Sequence, residues 1–221
     1  MLNRRRFVAT GLAAGSLGLA APAIAHKKGE EYVMPEEFMP REVRLKTKLP
    51  PGEIHVDPNQ FALYQTLENN RAIRWAVGIG RGNLYHAGEF TVGAKREWPT
   101  WAPTKDMLER SPNAFKDFLE GGIYYQKSMP GGINNPLGAR ALYLYSAAGK
   151  DTYLRIHGTN NPRTIGVEVS NGCARLINPQ IEQLYDMVPL GTRVVLYPKA
   201  GQGPAHSNIP NTAIRNVPET T

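Results

Sequence analysis

Apolar and polar residues alternate repeatedly through the middle of the chain, which is the pattern of strands buried on one face. Residues 53–57 and 61–65 alternate on either side of Pro58-Asn59-Gln60, and this arrangement predicts a hairpin. The same pattern predicts further strands, at 72–79, 88–94, 141–145, 152–157 and 193–197. Many short strands with few helices favour a mainly β fold, either a β-sandwich or an open barrel.

Helical periodicity is clearest from Pro179 to Val188, where apolar residues recur on one face. Asn178 is the predicted cap of this helix, with Pro179 at its first position. Residues 104–120 predict one or two short helices broken at Pro112. The segment 121–138 is rich in Gly, Pro and Asn and longer than a connection requires, and such loops often cover binding sites.

Composition divides the chain into four segments. We predict a signal peptide at residues 1–25, an extended lead-in at 26–51, one domain at 52–198 and a flexible tail at 199–221. The lead-in and the tail contain several prolines and no sustained periodicity. The segment between them has the usual size of a domain with its own core.

The N-terminus has the features of an export signal. Arg4, Arg5 and Arg6 form a twin-arginine pattern, a small-residue apolar segment follows at 9–19, and Ala23-Ile24-Ala25 supplies a small-x-small cleavage pattern. This predicts export of a folded protein by the twin-arginine route to the periplasm or cell envelope, with cleavage before His26. An uncleaved anchor is the alternative.

The net charge and the distribution of charged and metal-binding residues exclude some classes of partner. Without Arg4, Arg5 and Arg6 the formal net charge falls from +7 to about +4, which suits association with an anionic cell wall. The sequence contains no run of basic residues interleaved with aromatic ones, so we predict no nucleic-acid partner. It contains no zinc-type spacing of Cys and His, so we predict no metal site.

The chain contains one cysteine, Cys173, and five histidines. A lone thiol in an exported protein is either a buried small hydrophobic group or a nucleophile. A catalytic thiol needs an imidazole to take its proton, and among the histidines His157 lies at the end of a predicted strand, where the chain emerges from a sheet. His55 lies inside a predicted strand and is expected to be a packed or a surface histidine, and His86 is expected to lie in a turn.

The order of these residues resembles the L,D-transpeptidase (YkuD-like) catalytic domain. His157-Gly158-Thr159 followed by Ser170-Asn171-Gly172-Cys173-Ala174-Arg175 is similar to that family's His-Gly-Thr and Ser-His-Gly-Cys-x-Arg motifs. The resemblance extends over nearly all of residues 52–198, with matching segments at 54–64, 88–92, 135–138 and 188–192.

The resemblance implies a role for each matching residue. Cys173 matches the nucleophile, His157 the base and Gly158 the residue whose carbonyl orients the imidazole. Arg175 matches an arginine that could hold a substrate carboxylate, and Ser170, Asn171 and Gly172 line the substrate-binding segment. Backbone N–H groups around Gly172 and Cys173 are candidates for an oxyanion hole. No cofactor is implied, and an activated thiol is expected to react near neutral pH.

Asn171 is a departure, because the family usually has His at this position. That second His is generally not the base, so the pair of His157 and Cys173 is intact. An Asn side chain forms hydrogen bonds but does not accept a proton at neutral pH.

The resemblance implies acyl transfer on peptidoglycan stem peptides. Cys173 would displace D-alanine from a stem tetrapeptide, and an amine would then take the acyl group from the thioester. A diaminopimelate amine would give 3→3 cross-links, a protein amine would anchor an envelope protein to the wall, and water would make the enzyme an L,D-carboxypeptidase. A non-catalytic wall-binding module and a structural envelope protein are the alternatives from other classes, and the oligomeric state is open.

Overall fold

The computed structural model describes residues 32–120, 123–124 and 128–201. The predicted signal at 1–25 and the part of the predicted tail at 202–221 lie outside the described residues, as do His26 and His206. None of the helices in the described ranges is long and apolar enough to cross a membrane.

Strands dominate the described part of the chain, as predicted. With strands numbered in chain order, one nine-stranded sheet runs β1 (Arg41–Arg44), β4 (Arg71–Ala76), β3 (Ala62–Leu67), β2 (Ile54–Asp57), β13 (Arg193–Leu196), β6 (Gly88–Glu97), β9 (Arg140–Tyr145), β10 (Asp151–His157), β12 (Ala174–Arg175). Two short pairs accompany it, β5 (Ile79–Gly80) with β11 (Glu168–Ser170), and β7 (Leu119–Glu120) with β8 (Ile123–Tyr124). The mainly β prediction is confirmed.

The predicted hairpin is present as β2 and β3. Ile54 pairs with Gln65 and Asp57 with Ala62 in an antiparallel ladder. Asp57 stabilises the turn because its carboxylate accepts hydrogen bonds from the Asn59 backbone at 2.8 Å and from the Gln60 side chain at 3.2 Å. This short loop closes at low entropic cost, which is why a local pattern suffices to predict it.

Two α-helices occur among the described residues, α1 (Lys105–Arg110) and α2 (Asn178–Met187). Short 3₁₀ segments lie at Glu36–Phe38, Gly82–Leu84, Pro112–Phe118 and Pro162–Thr164. The predicted break near Pro112 is confirmed, since α1 ends before it and a 3₁₀ segment follows.

The prediction that Asn178 caps α2 is wrong. Ile177 occupies the cap position and makes no side-chain cap bond, and Asn178 is already in the helix. The Asn178 Oδ1 atom instead accepts from the backbone N–H groups of Ala139, at 3.0 Å, and Thr159, at 3.3 Å. The local preference of Asn for helix caps does not apply here, because the Asn178 side chain accepts backbone N–H groups from two segments that are distant in the sequence.

The main core lies against one face of the sheet and is closed by α2. Trp75, Leu142, Leu144 and Ile156 come from three strands, β4, β9 and β10, and are almost completely buried. Ile181 and Leu184 of α2, both fully buried, pack into the same cluster. Helix α2 therefore holds its end of the sheet, where β10 and β12 terminate, in a fixed position.

The predicted lead-in is more than a connection. Residues 41–44 form β1, which pairs antiparallel with β4 from Arg41–Arg74 to Arg44–Arg71. Val43 is 6% exposed and belongs to a second core cluster. At the other end of the domain, Lys199 is buried, and its Nζ donates to the Gly80 carbonyl at 2.7 Å and binds the Glu168 carboxylate at 2.6 Å.

Candidate active site

His157 is the last residue of β10, at the point where the chain leaves the sheet. Its side chain is buried at 3% exposure, and its Nδ1 forms a short hydrogen bond to the carbonyl oxygen of Gly158. Because a carbonyl oxygen only accepts, Nδ1 carries the proton and Nε2 carries the lone pair. The ring therefore has the tautomer of a base at Nε2.

The backbone around Gly158 is braced from the far side by Asn178. A Cβ atom at Gly158 would lie 2.3 Å from Asn178 Oδ1, and one at Gly138 would lie 2.2 Å from it. Only glycine leaves room for this approach. Since Asn178 also bonds Thr159 N–H, the carbonyl that orients His157 is held by a contact from α2.

The environment of His157 keeps its ring neutral. Burial lowers the pKa of His157 to about 3, and the positive charges of Arg175 and Arg155 act in the same direction, whereas hydrogen bonds with the backbone of Gly158 and Leu137 oppose them. At neutral pH the imidazole is therefore uncharged, with its lone pair available.

Cys173 lies in the loop between β11 and β12 and is half-buried. Ser170 shapes this loop, because its Oγ donates to the Cys173 carbonyl at 2.6 Å and accepts from Gly172 N–H at 3.2 Å. Gly172 has a φ of +124°, and a Cβ there would lie 2.9 Å from the Leu84 carbonyl oxygen. A glycine is required at this position, and its N–H is already bonded, which removes it from the expected oxyanion hole.

The thiol of Cys173 faces β10. Its Sγ lies 3.9 Å from the carbonyl oxygen of Tyr153, a residue with a φ of +60° at an irregularity in the pairing of β10 with β9. A left-handed backbone at a tyrosine is uncommon and occurs often at functional sites. No hydrogen bond joins Cys173 to His157 within the described ranges.

The environment of the sulfur keeps it protonated. Burial raises the pKa of the Cys173 thiol, and this effect outweighs the Arg155 backbone N–H and the charges of Arg155 and Arg175, which lower it. The expectation of a thiol activated by a low pKa is therefore not met. The free protein has a neutral thiol and a neutral imidazole.

Arg175 lies opposite His157 in the parallel pairing of β10 with β12. Its backbone is fixed by hydrogen bonds in both directions with Gly78, each 2.9 Å long. Its Nε is buried and has no hydrogen-bond partner among the residues that the structure describes. Burial lowers the pKa of the Arg175 guanidinium, whereas the interaction with Cys173 raises it. Arg155 differs, because the Asp151 carboxylate binds it at 2.7 and 2.8 Å.

The model of the L,D-transpeptidase catalytic domain, YkuD, matches residues 51–196. The chain belongs to the L,D-transpeptidase family. The match begins and ends close to the predicted domain at 52–198.

Relatives of this L,D-transpeptidase domain occur in distant bacteria. The probable L,D-transpeptidase ErfK/SrfK of Escherichia coli is 32% identical over 171 residues, which are 76% of this chain and 49% of that protein. The putative L,D-transpeptidase YqjB of Bacillus subtilis is 32% identical over 151 residues, which are 66% of this chain and 72% of that protein. The chain spans about half or less of the length of several curated relatives that it matches.

One solved structure has higher identity and a different name. A crystal structure from Brucella melitensis, described as a probable carnitine operon oxidoreductase, is 44% identical and covers 72% of this chain and 93% of that chain, with a TM-score of 0.49.

Asn171, where the L,D-transpeptidase motif usually has His, contacts a residue that the sequence did not single out. Its Oδ1 accepts a hydrogen bond from Arg110 Nη2, at 3.0 Å. Arg110 ends α1, 61 positions earlier in the chain, so no local pattern could have predicted the contact. The described ranges contain no group of three or more His, Cys, Asp or Glu residues placed to hold a metal ion.

Proposed function

We propose that this protein is a peptidoglycan L,D-transpeptidase in which Cys173 carries the acyl group as a thioester. The observation that supports the proposal is the placement of His157 and Cys173 on either side of the β10–β12 pairing, in a chain of this family. A neutral His157, oriented by the Gly158 carbonyl, ends the strand beside β12, and Cys173 directly precedes β12. His157 acts as the base and Cys173 as the nucleophile.

Acylation begins when the substrate carbonyl reaches the sulfur. The carbonyl belongs to the L-centre of a diamino acid, which is joined to the terminal D-alanine of a stem tetrapeptide. Sγ forms a bond to this carbon while the thiol proton passes to Nε2 of His157. The bond from carbon to the D-alanine nitrogen then breaks, and the same proton leaves on the D-alanine amine.

Deacylation reverses these roles. An amine attacks the thioester carbon, its proton passes to Nε2, and the carbon–sulfur bond breaks to regenerate the thiol. We propose a diaminopimelate amine as the acceptor, which forms a 3→3 cross-link, with a protein amine anchoring an envelope protein as the second outcome. If water is the acceptor, the same site is an L,D-carboxypeptidase.

Two further groups serve the reaction in this proposal. The Cys173 N–H is the donor proposed for the developing oxyanion, because the Gly172 N–H is bonded to Ser170. Arg175 holds a carboxylate of the stem, since its half-buried guanidinium forms no ion pair among the described residues and points to an anionic ligand. No cofactor takes part in these steps.

The proposed place of action is the periplasm or cell envelope. Peptidoglycan lies outside the inner membrane, and the twin-arginine pattern at Arg4–Arg6 supplies a route for a folded protein. N-terminal sequencing of the exported protein should find an end near His26. An intact Met1 on the exported protein would contradict cleavage.

Mass spectrometry of wall fragments incubated with the purified protein tests the proposal. We expect loss of D-alanine from tetrapeptide stems together with dimer masses, and a thioester mass on the wild-type protein. Cys173→Ala is the matched control and should form neither product while keeping the fold. Trimmed stems without dimers would assign the carboxypeptidase, and an active Cys173→Ala would reject the enzyme. A folded protein that binds fragments without changing them would be the wall-binding module.

A further inference from the structure

A second guanidinium lies beside the catalytic loop in addition to Arg175. Arg110 is the last residue of α1, and its Nη2 donates to Asn171 Oδ1 at 3.0 Å, two positions before Cys173 in the chain. The helix is held firmly, because Met107 and Leu108 are buried and Thr104 Oγ1 accepts from Met107 N–H at 3.3 Å. The position of Arg110 is therefore set by packing of the helix as well as by its own hydrogen bond.

The charge of Arg110 is not neutralised by any described residue. Its hydrogen bond goes to a neutral amide, and it forms no ion pair within the described ranges. Arg175 is similar, whereas the nearby Arg155 is neutralised by Asp151. Two cations without an ion pair among the described residues thus border the loop that carries the nucleophile: Arg110, which contacts it from α1, and Arg175, which follows it on β12.

The two guanidiniums differ in depth. Arg175 is half-buried on β12, and Arg110 is exposed at the rim. A ligand that satisfies both needs one carboxylate next to the reacting carbon and a second one farther out. A tetrapeptide donor has this form, because its terminal D-alanine carries a carboxylate next to the reacting carbonyl and the diaminopimelate side chain carries a second one at the end of a flexible methylene chain.

We propose that Arg110 binds the side-chain carboxylate of the donor diaminopimelate and thereby selects stems in which this group is not amidated. The inference rests on the proposed function and names the substrate class of the same site. Asn171 holds the guanidinium toward the site without cancelling its charge. Arg110 keeps further N–H donors for a carboxylate, which accepts them in a planar geometry.

The test uses two tetrapeptide donors that differ only in having a carboxylate or a carboxamide on the diaminopimelate side chain. In the wild type, kcat/KM for the carboxylate donor should exceed that for the carboxamide donor. Arg110→Gln should lower this ratio on the order of tenfold by slowing the carboxylate donor alone, because one charge-assisted hydrogen-bonded contact is lost. Arg110→Lys should be intermediate, since an ammonium keeps the charge and loses the planar pair of donors.

Lys105→Gln is the matched control. It removes the same charge from the same helix, but Lys105 is exposed and its ion pair is with Glu109 within α1. The ratio should be unchanged in this variant. Equal losses on both donors in Arg110→Gln would overturn the proposal, because Arg110 would then only support the loop, and an unchanged ratio would overturn it as well.

Binding separates this inference from the proposed function. The Cys173→Ala protein should bind the carboxylate peptide more tightly than the carboxamide peptide by calorimetry, and adding Arg110→Gln should remove that preference. If the wild type transfers no acyl group, the proposed function fails, yet this comparison still decides whether Arg110 recognises the carboxylate. Equal affinities for the two peptides in Cys173→Ala would reject the recognition.

Discussion

The strongest quantitative prediction concerns His157 and the acid stability of the fold. Burial and the charges of Arg175 and Arg155 hold the pKa of His157 at about 3. In the unfolded chain an imidazole has a pKa of about 6.5. The folded pKa is depressed, so the neutral ring stabilises the fold fully above about pH 6.5, and this contribution is lost as the pH falls from there toward 3.

The size of the effect follows from proton linkage. Between pH 7.5 and pH 5 the unfolded imidazole takes up almost a full proton, while the folded one, with its pKa at about 3, takes up very little. At about 1.36 kcal/mol for each pKa unit, the fold should lose about 2 kcal/mol over this interval through His157 alone. His157→Gln has no such titration, so the variant should lose that much less on acidification.

Urea denaturation at pH 7.5, 6 and 5 measures the free energy of unfolding of both proteins. The wild-type value minus the variant value should fall by about 2 kcal/mol between pH 7.5 and pH 5, whatever offset the substitution adds. His55 is also buried, and burial lowers its pKa, but it is present in both proteins and cancels in the difference. A difference that does not change with pH would refute the assignment of a neutral, buried base.

Two further predictions concern the thiol and the helix that braces the site. Because burial raises the pKa of Cys173, iodoacetamide should alkylate it slowly at pH 7 and faster up to pH 9; a rate that has levelled off below pH 7 would contradict the raised pKa. Asn178→Ala should lower the free energy of unfolding by roughly 2–4 kcal/mol in urea denaturation, because two backbone N–H groups lose their acceptor. Asn178→Asp keeps an acceptor oxygen and should lose less; equal losses would argue against the hydrogen bonds.

The sequence predicted those features of the fold that depend on near neighbours. The hairpin of β2 and β3 follows from alternation around one short turn, and the break after α1 follows from Pro112. The strand order could not be predicted. β13 pairs with β2, which lies far earlier in the sequence, and hydrophobic periodicity does not indicate which strands pair with each other.

The candidate site also contains residues that local sequence motifs indicate and residues that only distant contacts bring to the site. His157 and Cys173 stand in contiguous motifs, so the resemblance located them without a structure. Arg110 and Asn178 act through contacts 61 and 19 or more positions away in the chain. The protonation states were also missed, because they depend on burial and on surrounding charges, which no motif records.

In the proposed mechanism, Arg175 connects substrate binding with the strength of the base, His157. Its positive charge is the largest electrostatic contribution, after burial, to the low pKa of His157. A substrate carboxylate bound to Arg175 would compensate that charge, so the pKa of His157 would rise and the imidazole would become a better base when the donor is in place. The free protein would keep its thiol neutral until then.

Arg175→Gln tests this connection through the pH dependence of kcat/KM, whose acid limb reports the base in the free enzyme. Removing the like charge should move the acid limb to higher pH, although burial should still keep it below about 6.5. The same variant should lose roughly ten- to a hundredfold in kcat/KM on a carboxylate donor, because a charge-assisted hydrogen bond is lost. Arg175→Lys keeps the charge and should leave the acid limb in place. An acid limb at the same pH in Arg175→Gln and the wild type would mean that Arg175 does not act on His157, and that the base is set by burial alone.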